Sequence, residues 1–272
     1  MKLPPAVDRP ALLPAAFDVV KPRRDSRFPL FIAALLAAIA MLFKSDLFGS
    51  LEIWVVCGVM IVIGGGAVLG HLSSVGRPSV EHIIPALLGA LAVGGLSLVI
   101  GGWWPYALVA LGFGAAYYVS AEFDDRALRH HSRPLHLVLQ TAVLVAALGA
   151  SFLVIFVLQF PLPLRLASVL LASFLATYRA YRVTGTPLTA RKALGFSVFV
   201  AQVVLFFTLG MSLLVYFTAG VFAVLMLLLW YVNQGIIRHA VDDSFSWQVA
   251  VEYGFFILLF LYIFLISFQP IR

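Results

Sequence analysis

An all-α bundle of about nine transmembrane helices, N-terminus in and C-terminus out, is the fold class this sequence predicts, and three observations predict it. Of 272 residues, 62% are hydrophobic and 11% are charged, whereas a soluble chain carries about 25% charged residues. Two uncharged intervals, residues 83–120 and 194–232, would each form a helix nearly twice as long as the ~30 Å of bilayer hydrocarbon, so each must fold back once. Finally, of the 18 Lys and Arg residues, 15 fall on one side of the resulting topology and only 3 (Lys44, Arg165 and Arg272) on the other. The positive-inside rule then assigns the richer side to the cytoplasm.

The elements follow in order. Residues 1–27 are basic and punctuated by proline, and read as a cytoplasmic tail whose apolar patch, residues 11–20, suits the membrane surface. No short apolar stretch with a small-residue cleavage site follows Met1, so the first apolar run serves as a retained span. Residues 28–272 form a single transmembrane domain. Its first helix, 28–43, is short for a crossing and ends at Lys44, which can snorkel. The second, 51–70, carries Gly66 and Gly70, a GxxxG spacing that admits the backbone of another helix.

Helices three and four, 83–100 and 103–120, are divided at Gly101 and Gly102, where the backbone can reverse, beside Trp103 and Trp104, which suit an interface. The fifth, 135–160, turns at Pro161 and Pro163 into the sixth, 162–181, which ends in Tyr178, Arg179, Tyr181 and Arg182 as an interfacial anchor. The seventh and eighth, 194–209 and 212–232, are expected to break near Gly210, Met211 and Ser212. The ninth covers 247–268. Small residues crowd helices two to five and Phe and Leu dominate seven to nine, so the first group should pack closely and the last should face lipid or a partner subunit.

Chemistry is sparse. The longest strongly charged interval is AEFDDRALRHHSRPLH, residues 121–136. Continued as helix, it pairs Glu122 with Arg126 and Asp125 with Arg129 at i, i+4, the order that stabilises an exposed helix. Alternatively, Asp124 and Asp125 hold Mg²⁺ against a diphosphate, with Arg126, Arg129 and Arg133 on its phosphate oxygens and Asp242 and Asp243 as a second acidic arm. With the sequence Arg133, Pro134, Leu135, this constellation resembles the UbiA-type prenyltransferases, which have nine helices and two Asp-rich cytoplasmic segments four helices apart. The resemblance implies a cytoplasm-facing prenyl-diphosphate or lipid transferase. Two departures stand against it: the family's repeated Asp spacing is missing, and the acidic loops follow helices four and eight where the family's follow two and six.

Glu252 is the acid placed within a span, where a carboxylate needs a partner, a proton or water; it is either the titrating group of a small-solute carrier, or a residue shallow enough to be hydrated or paired with Arg238 or His239. Gln140 and Gln202 read as interhelical hydrogen-bond partners. His130, His131 and His136 lack the spacing of a metal site, and no metal is assigned. His71, His82, His136 and His239 sit at four loop boundaries, where a pair of them would be needed to ligate haem. Cys57, the one cysteine, lies in an apolar run and reads as packing. The scattered charges contain no basic block for nucleic acid. The composition, with 14 Arg against 4 Lys and one Asn, points to a GC-rich bacterial genome.

Together these features favour a multi-pass inner-membrane protein acting as a non-catalytic assembly or scaffold subunit. Its partners are then the bilayer and protein subunits meeting helices seven to nine, and it needs no cofactor.

Overall fold

A computed structural model describes residues 27–44, 49–73, 79–128, 134–183, 188–267 and 269–270. Its nine α-helices are α1 (Arg27–Met41), α2 (Ser50–Leu72), α3 (Ile84–Val99), α4 (Trp103–Leu128), α5 (Pro134–Val157), α6 (Leu162–Val183), α7 (Ala190–Leu214), α8 (Ala219–Val241) and α9 (Trp247–Ser267). Short 3₁₀ turns, Leu42–Lys44 and Val80–His82, follow α1 and precede α3. Eight of the nine helices are long and apolar enough to cross a membrane. The remaining one, α6, has 22 residues, about 33 Å of helix, and matches the others in length, but it carries three arginines. The chain is a multi-pass membrane protein.

Length and apolarity explain the helices, and local chemistry explains the turns. Gly102 adopts φ +95°, a conformation that suits glycine, at the reversal between α3 and α4. The expected α7–α8 boundaries are corrected: α7 runs through Gly210 to Leu214, the reversal falls at residues 215–218, and α8 continues past 232 to Val241. Glycine is well tolerated inside lipid-embedded helices. The turn is fixed instead by Val215–Tyr216, which pair antiparallel with Gln269–Pro270 after α9.

The helices pack around two cores. One, from α1 to α4, is built on Leu36, Cys57, Met60, Tyr106, Phe113 and Tyr117. The other, from α3 and α5 to α8, centres on Leu148, Phe152, Val169, Val204, Met226 and Trp230, with part of α9 against its edge. Cys57 is buried and free and donates to the Ala90 carbonyl at 3.3 Å, in keeping with a packing role.

Helix α3 serves both cores: Ala86, Ala90 and Val93 enter the first, while Ile84 and Leu88 enter the second. Its small residues make this possible. At Gly95 any Cβ would run into Val154 of α5, so the glycine admits the close passage of α5. The close approach on α2, by contrast, is made by Gly64 and Gly65, not by the expected Gly66 and Gly70, which have open space beside them. Tyr117 of α4 donates to the Gly64 carbonyl at 2.9 Å across that contact.

Candidate functional site: a buried ion-pair network at one end of the bundle

The C-termini of α2, α4, α6 and α8 lie at the same end of an alternating bundle, together with the N-terminus of α5 and the turn before α3. Each contributes polar side chains there. Helix α4 runs past its apolar stretch to Leu128, about 39 Å in all. Ser120 and Asp124, four residues apart, therefore share its inward face below Phe113 and Tyr117.

Asp124 is 0% exposed, and both of its oxygens are engaged. Oδ1 accepts from Gln140 Nε2 of α5 at 2.8 Å and from Arg179 Nη2 of α6 at 3.0 Å. Oδ2 lies 2.8 Å from His82 Nδ1 and 3.1 Å from Arg179 Nη2. An ionised carboxylate has no hydrogen to give, so His82 carries its proton on Nδ1.

Arg179 is 2% exposed and holds three elements at once. Its Nη1 donates to the Glu81 carbonyl at 2.8 Å, and its Nη2 also donates to Ser120 Oγ at 3.1 Å. One turn on, Arg182 Nε donates to Glu81 Oε1 at 3.1 Å and Nη1 to the Leu188 carbonyl at 2.8 Å. The α4 acid from the first core, the α5 amide and α6 arginine from the second, and the turn leading into the shared helix α3 thus meet at one point. Breaking a buried pair of this kind by removing one partner typically costs about 3–5 kcal/mol, because the other charge stays buried.

Asp124, which belongs to neither expected i, i+4 pair, faces the interior. The side chain of Arg126 and the whole of Arg129 and Arg133, with His130 and His131, lie outside the described residues, as does the 1–26 tail. Asp125 turns away from Asp124 toward α2, where its Oδ1 is 3.8 Å from His71 Nε2. Adjacent helical residues point about 100° apart, so the two acids serve different neighbours.

The second acidic arm is also engaged locally. Asp242 caps α8 and accepts from Arg238 Nε at 2.8 Å, while Asp243 is exposed in the left-handed region at φ +47°. Glu252 is exposed on α9 and accepts from Tyr231 Oη at 2.9 Å. The expected partners of Glu252 are corrected accordingly: His239 Nδ1 meets Ser244 Oγ instead. Gln140 forms the interhelical bond expected of it, whereas Gln202 is exposed on α7.

Mg²⁺ fits this geometry poorly. It requires several oxygens at about 2.0–2.1 Å, yet Asp124 is already bonded through both oxygens and faces a guanidinium. Among the described residues, no three His, Cys, Asp or Glu side chains group as a metal site.

Arg179, Glu81 and His82 carry the network, although in the sequence Arg179 has the pattern of an interfacial anchor and no pattern marks Glu81. One signal was available: Ala172, Ala176 and Ala180 recur every four residues on α6, a small-residue stripe that marks a packed face beside Arg179. No family model matches the chain, and neither a curated protein nor a solved structure matches it significantly.

Proposed function

We propose that the chain is a non-catalytic assembly or scaffold subunit of a complex in the bacterial inner membrane. Its N-terminus and ion-pair network face the cytoplasm, and it engages a membrane-embedded partner along α9 and the adjoining faces of α7 and α8. The observation that carries this reading is the outward side of α9. Only Tyr253 of this helix is buried, and Glu252 is exposed on the same helix as Phe255, Leu258, Tyr262 and Leu265. A carboxylate on a lipid-facing helix is disfavoured by lipid and suited to a partner helix that offers a basic or hydroxyl group at that depth.

The closed state of the network supports the same reading, since a transferase would need Asp124 free for Mg²⁺ and both of its oxygens already bind protein groups. The test is photo-crosslinking in cells from Leu258 and Leu265, with exposed Leu108 of α4 as the control. One protein adduct of defined mass from α9 and none from α4 is expected. Lipid adducts alone from both helices would refute the proposal.

A further inference from the structure

We infer that the end of the bundle opposite the network holds a phospholipid, its headgroup phosphate on Arg165 and one acyl chain in the groove between α2, α3, α5 and α6. Arg165 is poorly served by the protein. It lies in the first turn of α6, where the positive end of the helix dipole repels a cation, and no acid occupies that turn. Among the described residues its side chain's one hydrogen bond is from Nη2 to the Phe160 carbonyl at 3.2 Å, and its Nε is buried with no partner. Lys44, at the same end, at least lies over the Tyr106 ring at 5.8 Å. A guanidinium with unused donors in a fixed fork matches a phosphate group.

Beside this cation runs an apolar groove of about 260 Å³. Phe160 and Leu164, the residues bonded and adjacent to Arg165, line it, and it continues past Trp54, Leu91, Val154 and Leu171. Trp54 and Phe160 are aromatic residues of the kind that anchor at the headgroup level. A cation at one end of an apolar channel open to the bilayer has the charge pattern of a phospholipid, with anion above and hydrocarbon below. Ser168, one turn below Arg165, lines the channel between its two ends.

Native mass spectrometry of the full-length protein in nonionic detergent tests this with three probes: phosphatidylglycerol, diacylglycerol bearing the same chains, and inorganic phosphate. The expected result is one equivalent of phosphatidylglycerol retained at least about tenfold more tightly than diacylglycerol, the size of one charge-assisted hydrogen bond, with phosphate unable to displace it. Arg165→Gln should remove that preference while Arg165→Lys keeps part of it. Ser168→Phe, with Leu171→Phe as a second filling variant, should weaken both lipids alike. Equal binding of the two lipids, unchanged binding in Arg165→Gln, displacement by phosphate alone, or a protein adduct in place of lipid would each overturn the inference.

Discussion

Helices α6 and α9 have opposite compositions and opposite positions. With three arginines and two serines, α6 is the one helix not apolar enough to qualify as a span, yet it delivers Arg179 to one of the most buried points of the molecule. Helix α9 is among the most apolar, and only 6% of its span is buried, against 72% for α3. In water that ordering would be reversed. In lipid, hydrocarbon side chains gain nothing by leaving a hydrocarbon solvent, whereas polar groups must be satisfied by protein. The interior is therefore set by small residues that allow close approach and by polar groups that need partners.

That contrast fixes the order of mutational effects, each measurable by reversible unfolding in detergent. The largest loss is expected for Arg179→Met, which strands Asp124 at 0% exposure and should cost about 3–5 kcal/mol. Gly95→Leu forces a side chain into Val154 where α3 meets α5 and should cost about 1–3 kcal/mol. His82→Ala leaves one oxygen of Asp124 with a weaker set of partners and should cost about 1–3 kcal/mol. Leu258→Ala, at 67% exposure, should change stability by less than about 0.5 kcal/mol while weakening partner capture. A large loss at Leu258 or a small one at Arg179 would break the contrast between the two helices.

Much of this was legible in the residues. Long uncharged runs reveal helices because lipid demands them, and the Gly101–Gly102 turn beside two tryptophans stands where the chain reverses. The α7/α8 boundary was not legible, because Gly210 resembles a breaker in sequence while the reversal is held by backbone pairing with Gln269–Pro270, far away in the chain. The network was half legible. Gln140 has the pattern of an interhelical partner, but Asp124, inside a charged interval, has that of a solvated or Mg²⁺-binding acid, and Arg179, at a helix end beside tyrosines, that of an interfacial anchor. Only the packing of α6 against the turn before α3 turns it inward, and no local pattern encodes that contact.

Asp124 and Arg179 join helices that belong to the two cores, as a structural clamp would. A double-mutant cycle with Asp124→Asn, Arg179→Met and both together tests it most directly. The clamp predicts a loss of about 3–5 kcal/mol for each single variant and a double variant more stable than their sum by at least about 2 kcal/mol, since neither charge is then left alone. Additive losses, or an Asp124→Asn protein as stable as the parent, would contradict it.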